Sequence, residues 1–160
     1  MDPGLRITGY GVISVLPRSA SRRPELVEAG FIKTRATAGI SGRLCTLYES
    51  LKEVLEDLKP DVIVIEKLFA HYKHPATAIL MGHARGVICL LSGSQKIPLV
   101  SMPPTHIKKM ITGAGHAKKP QIQRMVQYYL GLKKPPASPD VADALAVALA
   151  YAFEKTGRGA

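Results

Sequence analysis

The chain has 160 residues, 46% of them hydrophobic, with two cysteines, no tryptophan and a formal net charge of +10 at pH 7. This length supports one domain, which we place at residues 1–160 with a tail from about residue 156, and it excludes a disulfide-stapled secreted module. No apolar run approaches the roughly 18–20 residues that cross a bilayer, and no signal peptide is recognisable. We therefore expect a cytoplasmic protein that binds no membrane, with Cys45 and Cys89 as buried free thiols.

The positive charge is concentrated in the second part of the chain. Residues 1–66 hold nine basic and nine acidic residues, whereas residues 67–160 hold thirteen basic and three acidic residues. Solvated surfaces usually mix both signs, so this bias is typical of a protein that binds a polyanion. We expect nucleic acid as the partner. An anionic membrane surface is the weaker alternative, because no helix joins a basic face to an exposed aromatic one.

In chain order, hydrophobic patterns predict two strands, a helix, a buried strand, a long helix, a fourth strand and three further helices. The segments are, in that order, ITGYGVISVL, ELVEAGFIKTR, SGRLCTLYESLKEVLEDLK, DVIVIEK, HPATAILMGHARGVICLLSGSQK, IPLVSM, PTHIKKMI, KPQIQRMVQYYL and SPDVADALAVALAYAFEK. Ser41 is the predicted N-cap of the first helix, Pro60 ends that helix, and Ser138 caps the last one. This order of elements predicts an α/β layer fold.

The start of the chain contains a turn with an acidic residue in front of it. Asp-Pro-Gly at residues 2–4 is typical of a tight turn between two extended segments, and Asp2 would end the first of them. Only Met1 precedes Asp2 in this sequence. We therefore expect Asp2 to lie on a fraying end, and the neighbouring apolar strands to lack a hydrogen-bonding partner.

Three further acidic residues occur where acids are uncommon. Glu66 ends the apolar run VIVIE, and Asp140 and Asp143 are three residues apart, so they share one face at the start of the last helix. Strand ends and helix starts converge on one crevice in α/β sheets, so these acids are predicted to meet Asp2. Ordinary alternatives are a turn residue for Asp2, a solvated strand end for Glu66 and a helix N-terminal charge for Asp140.

A divalent cation is the simplest partner for such a cluster. Gathered carboxylates repel one another, and Asp143, inside the otherwise apolar VADALAVALA, needs compensation for its burial. A few carboxylates completed by water suit Mg²⁺, with Mn²⁺ as the alternative. Two such ions about 3.5–4 Å apart can cleave a phosphodiester. A basic surface beside this site predicts a nuclease.

Five blocks of the sequence together resemble the RuvC family of Holliday-junction resolvases. They are DPGLRITGYGV, DVIVIEKLF, GHARGVI, IKKMITGAGHAKKPQIQRMV and SPDVADALAVALA, and they run from Asp2 to about Phe153 in the family's order. The resemblance implies an RNase H-like fold with a mixed central sheet flanked by helices. It implies a homodimer that resolves four-way DNA junctions by symmetric, metal-dependent nicking during recombination and repair. It also implies a branch-migration motor as a partner.

The resemblance assigns roles to individual residues. The family's four metal-binding acids, which hold two ions per subunit, match Asp2, Glu66, Asp140 and Asp143. Lys108 and Lys119 match lysines near the scissile phosphate, Lys119 as a catalytic residue, and Lys109 and Lys118 are the neighbouring DNA-binding lysines. Phe69 matches an aromatic residue that stacks on bases opened at the crossover. From the residues alone, the ordinary alternatives are a solvated loop lysine for Lys119 and a core phenylalanine for Phe69.

The long second helix matches the family's dimer contact, through Gly82, His83, Arg85 and Gly86. One departure concerns the N-terminus, because the family has four or more apolar residues ahead of Asp-Pro-Gly. We expect either that the true start lies upstream of Met1 or that the chain is a junction-binding module with weakened or lost cleavage. A third hypothesis, an ATP-binding relative of this fold, is disfavoured because the chain is short and a second phosphate-binding glycine loop is not recognisable.

Overall fold

A computed structural model of the chain describes residues 1–15, 23–68, 75–136 and 138–157. Within these ranges it contains every predicted strand and helix, in the predicted order. Their bounds are β1 (Ile7–Ser14), β2 (Glu25–Lys33), α1 (Ile40–Leu58), β3 (Ile63–Glu66), α2 (Pro75–Gln95), β4 (Leu99–Met102), α3 (Pro104–Thr112), α4 (Lys119–Leu130) and α5 (Pro139–Thr156). Helix α5 therefore extends to the start of the predicted tail, and residues 158–160 lie outside the described part.

The strands form two short sheets that are joined by the first two residues of the chain. β1 and β2 pair antiparallel, and β3 and β4 pair parallel. Asp2 and Gly9 of β1 exchange two backbone hydrogen bonds, of 2.9 Å and 3.1 Å. The Met1 ammonium donates a 2.7 Å hydrogen bond to the carbonyl oxygen of Val64 in β3. Met1 and Asp2 thus lie between an antiparallel and a parallel pair, which gives the mixed sheet of the prediction.

The two faces of the sheet carry separate hydrophobic cores. Side chains alternate along a strand, so Ile63 and Ile65 of β3 pack with α1 and α2, whereas Val64 packs with α3, α4 and α5. Glu66 is two residues beyond Val64 and therefore lies on the α5 side. By the same alternation, Met1 belongs to the core on the α1 side and Asp2 faces the α5 side.

An apolar cavity of about 1140 Å³ lies between β1 and β3, and Met1 is one of the residues that line it. It is lined by β1 residues from Gly11 to Ser14, by residues 58–64 and by the second half of α5. Within the described residues no strand pairs with the edges of β1 and β3 that face this cavity. This agrees with the expectation that the apolar strands here lack a neighbour.

Local predictions that concern polar and thiol side chains needed correction. Ser41 lies inside α1, which begins after Gly39 without a side-chain cap, and the helix ends one residue before the left-handed Lys59. Cys45 and Cys89 are free, as predicted, but both are exposed rather than buried. Their apolar sequence surroundings were misleading, because each thiol lies on the outward face of a helix that buries its other face.

Helix α2 is the one helix in the described part that is long and apolar enough to cross a membrane by length and composition. Only 22% of its most apolar window is buried, but Ala84, Val87, Ile88 and Leu91 pack into the core shared with α1 and β3. Many core helices of folded domains satisfy the same criterion, so it is weak support for a membrane span. Packing into this core does not account for the exposed apolar side chains on the outward face of α2.

Candidate active site

The first two carboxylates lie on neighbouring extended segments at one end of the sheet. Asp2 is fixed by its backbone bridge to Gly9, and Met1 beside it is only 8% exposed. The expectation of a fraying Asp2 was therefore wrong, because the Met1 side chain is held in the core and its ammonium is held by Val64. Burial lowers the pKa of that ammonium to about 5, against the opposing effect of Asp2 and Glu66.

The other two carboxylates are carried by the first turns of α5. The hydroxyl of Ser138 accepts a 3.2 Å hydrogen bond from the Val141 N–H, which confirms the predicted cap. Gly9 lets this helix start approach the sheet, because a Cβ atom at Gly9 would lie 2.1 Å from the carbonyl oxygen of Asp140. Sequence reasoning did not identify this role of Gly9. The close approach brings Asp140 and Asp143 over the strand that pairs with Asp2.

Neighbouring acids lie close enough to Asp2 and Glu66 to change the pKa of each. Burial, reinforced by the charges of Asp143 and Asp140, raises the pKa of Asp2 to about 6 despite the Met1 ammonium and Lys119. Burial also raises the pKa of Glu66, with further contributions from Asp2 and Asp143. Acids from three separate chain segments therefore lie near enough at this end of the sheet to influence the pKa of Asp2 and of Glu66. Their joint action as one site stays a prediction.

Two of the four predicted lysines lie at this cluster. The Lys119 ammonium donates a 3.2 Å hydrogen bond to a carboxylate oxygen of Asp143, and the Lys119 side chain is 73% exposed. The charge and hydrogen bond of Asp143 raise the pKa of Lys119. Lys108 is near enough to Glu66 to lower the pKa of that acid, opposing the effect of burial.

The remaining predicted DNA-binding residues are farther from the carboxylates or outside the described part. Lys109 and Lys118 are exposed, on α3 and at the start of α4, and neither affects the pKa of Asp2 or Glu66. Phe69 lies outside the described residues.

Arg85 contributes to the site in a way that the sequence did not indicate. Its guanidinium donates a 2.8 Å hydrogen bond to the carbonyl oxygen of Glu66 and a 2.7 Å hydrogen bond to the Ser101 hydroxyl. Arg85 therefore points toward the ends of β3 and β4 and not toward a partner subunit, as its place in the predicted dimer helix had suggested. It is a positioning residue, because it fixes the backbone that carries Glu66.

The donor set fits a hard divalent cation. Among the residues that the structure describes, no three acidic, histidine or cysteine side chains are already arranged around a common metal position. The carboxylates nevertheless have the chemistry that such an ion requires: they are oxygen donors from separate segments, and burial, reinforced by neighbouring acids, raises the pKa of Asp2 and of Glu66.

Comparison with known proteins agrees with this site and fold. A sequence profile described as "Crossover junction endodeoxyribonuclease RuvC" matches residues 1–151. The chain is 46% identical over 149 residues to the crossover junction endodeoxyribonuclease RuvC of Rhodopirellula baltica, covering 93% of this chain and 82% of that protein. It is 42% identical over 151 residues to the RuvC of Hydrogenovibrio crunogenus, covering 94% and 84% of the two chains.

A solved structure gives the same result at the level of the fold. The structure described as T. thermophilus RuvC in complex with Holliday junction substrate superposes with a TM-score of 0.89 at 29% identity, covering 99% of this chain and 94% of that one. The predicted RNase H-like α/β fold is thereby confirmed. The chain belongs to the RuvC family of crossover junction endodeoxyribonucleases.

Proposed function

We propose that this chain resolves four-way DNA junctions by paired nicking. The site consists of four acids and the positively charged Lys119, and the acids are Asp2, Glu66, Asp140 and Asp143. The observation that carries the proposal is the approach of carboxylates from three segments at one end of the sheet, where Asp143 adds to the burial that raises the pKa of Asp2 and of Glu66. RuvC nucleases act with a divalent metal. We further propose that the ion here is Mg²⁺, with Mn²⁺ as a substitute, and that two ions are held per subunit during cleavage.

Each of the four acids would contribute oxygen ligands from a rigid element. Asp2 is fixed by its bridge to Gly9, Glu66 by the contact of its carbonyl with Arg85, and Asp140 and Asp143 by the capped start of α5. When bound, the metal would supply an activated water and would stabilise the leaving oxygen of the phosphodiester.

Lys119 has a role at the phosphate that its present contacts allow. Its only hydrogen bond among the described residues is to Asp143, and its side chain is largely exposed. The exposed ammonium would bind a non-bridging phosphate oxygen and stabilise developing negative charge there. Lys108, beside Glu66, is suited to a neighbouring phosphate, and Lys109 and Lys118 extend the basic surface. Phe69 is proposed as the stacking aromatic of the family.

A junction-nicking assay tests this function directly. We expect the protein to introduce symmetric nicks into two strands of a four-way junction in Mg²⁺, and to leave a linear duplex of the same sequence intact. Omission of metal should remove the nicks without removing binding, because binding depends on the lysines and cleavage on the acids. Tight junction binding with no nicks in either Mg²⁺ or Mn²⁺ would instead favour a binding module that lacks cleavage.

We also propose that the outward face of α2 forms a homodimer. Ile79 and Leu90 are each 61% exposed, and His83 and Gly86 lie between them at helical spacing on the same exposed stripe. Apolar side chains around a glycine at the centre of a stripe allow two helices to pack closely. A two-fold dimer would present two sites in equivalent positions, as symmetric nicking requires.

Changing this face should separate assembly from folding. We expect Leu90→Lys to give a monomer by sedimentation analysis, with a melting temperature close to that of the parent, because Leu90 lies outside both cores. Its nicks should become uncoupled between the two strands. Thr46→Lys, on the exposed side of α1, is the matched control and should stay dimeric. A dimeric Leu90→Lys protein would place the interface elsewhere.

Three wider proposals follow from the same assignment. Residues 1–160 would act as one nuclease domain, since α5 packs against the sheet whose ends carry the site. Cytoplasmic location fits an enzyme whose substrate is recombining DNA.

A branch-migration motor is the partner that family membership suggests. Pull-down with such a motor on junction DNA tests this interaction.

A further inference from the structure

Strand β2 carries an exposed aromatic residue and an exposed basic residue on the side of the sheet where the carboxylates lie. In the β1–β2 pair, Phe31 is opposite Gly9 and Lys33 is opposite Ile7, so both project on the face of the sheet that carries α5. Phe31 is 51% exposed, and Lys33 is also exposed. Neither side chain is used by the carboxylate site described above.

The backbone register fixes the distance between Phe31 and the site. Asp2 is opposite Gly9, and Gly9 is opposite Phe31, so these three residues form one row across the sheet. Paired strands are about 4.8 Å apart, so the backbone of Phe31 lies about 10 Å from that of Asp2. The start of α5 covers the middle of the row, because Gly9 touches the backbone of Asp140. Phe31 therefore flanks the catalytic helix start at a distance of roughly three nucleotide steps along a DNA strand.

The exposure of Phe31 is not explained by packing. Among the described residues it belongs to neither hydrophobic core, although Ala29, two residues before it on the same face, packs against the core of α5. The nearby acid on β2, Glu28, lies on the opposite face and accepts a 2.7 Å hydrogen bond from the Tyr10 hydroxyl. Beyond the acids at the start of α5, the β2 surface around Phe31 is thus aromatic and basic, a combination suited to unpaired nucleotides.

We propose that Phe31 and Lys33 bind the DNA strand beside the cleaved phosphate, Phe31 by stacking on a base and Lys33 by contacting a phosphate. This inference rests on the proposed junction cleavage and adds a strand-positioning surface to it. Stacking on Phe31 holds a nucleotide at a fixed distance from the carboxylates, and Lys33 neutralises the backbone of the same strand. The pair acts on position and affinity, not on the chemical step.

Fluorescent junctions test the stacking. The junction carries 2-aminopurine at single positions within three nucleotides of the cleaved phosphate, and binding is followed in EDTA. We expect the parent to quench one position, Phe31→Ala to lose this quenching with roughly 5- to 100-fold weaker binding, and Phe31→Tyr to restore both. Phe31→Leu should not restore quenching. Lys33→Gln should reduce the salt slope of log K by about one.

Controls separate this surface from folding and from the nuclease assignment. Val27→Ala removes another exposed apolar side chain of the same strand, farther from the carboxylates, and should bind as the parent does. All variants should melt within a few degrees of the parent. A Phe31→Ala protein that quenches, binds and cleaves like a cleaving parent overturns this inference alone, as does full rescue by Phe31→Leu. A parent that does not nick junctions overturns the proposed function instead.

Discussion

Asp2→Asn is expected to lower junction cleavage by roughly 10³-fold and, without metal, to stabilise the fold. Cleavage falls because an amide is a poor ligand for a hard divalent cation and cannot replace the charge of the carboxylate. Junction binding should change little, because it depends on the basic surface. The combination of lost activity and gained stability distinguishes a metal-binding acid from an acid that stabilises the structure.

The stability effect has a definite sign and pH range. The pKa of Asp2 is raised in the folded protein from 3.8 to about 6. Because Asp2 ionises less readily in the folded protein than in the unfolded chain, its ionisation lowers the free energy of unfolding. This loss is absent below about pH 4 and grows until about pH 6. The loss at pH 7 is about 3 kcal/mol at most, or about 6–12 °C in melting temperature for a chain of this size. Asparagine removes this loss.

Thermal denaturation in EDTA at pH 4 and pH 7 measures the effect. The parent should lose stability relative to Asp2→Asn on going to pH 7, and added Mg²⁺ should recover most of it in the parent only. Asp57→Asn removes an exposed acid of α1 and should leave both activity and melting temperature unchanged. An Asp2→Asn protein that cuts at the parental rate would remove Asp2 from the ligand set.

The sequence was sufficient for the elements and for the convergence of the acids, because both follow from local patterns. Glu66 ends an apolar run and Asp140 follows a capping serine, so strand and helix geometry place them without knowledge of the whole fold. The order of elements predicted an α/β layer fold, whereas the mixed sheet was implied by the family resemblance. Recognition of five blocks added the roles of individual residues, which spacing alone left open between a metal site and ordinary caps and turns.

What the sequence did not predict depends on contacts between distant segments. The fixed position of Asp2 arises from Val64, more than sixty residues away, which accepts the hydrogen bond of the Met1 ammonium. The direction of Arg85 toward Glu66 and the contact of Gly9 with Asp140 are likewise properties of the packed sheet. The exposure of Cys45 was mispredicted because an apolar neighbourhood in sequence does not say which helix face is covered.

Lys119→Met should reduce the rate of cleavage by about 10²- to 10³-fold while leaving junction affinity within a few-fold of the parent. A single exposed lysine adds little to binding by a surface with many basic residues, but Lys119 is the lysine that forms an ion pair with Asp143. The rate measured at saturating junction should therefore fall more than the apparent affinity.

Its effect on metal-free stability should be opposite to that of Asp2→Asn. Lys119 lowers the pKa of both Asp2 and Glu66, so its removal increases the repulsion among the acids. Because the Lys119 side chain is largely exposed, the destabilisation should be about 1 kcal/mol or less. Lys118→Met, one residue earlier, is the matched control and should keep the parental rate at saturation. Equal loss of rate in the two variants would indicate a general electrostatic effect of the basic loop, whereas a selective loss in Lys119→Met would place its ammonium at the reacting phosphate.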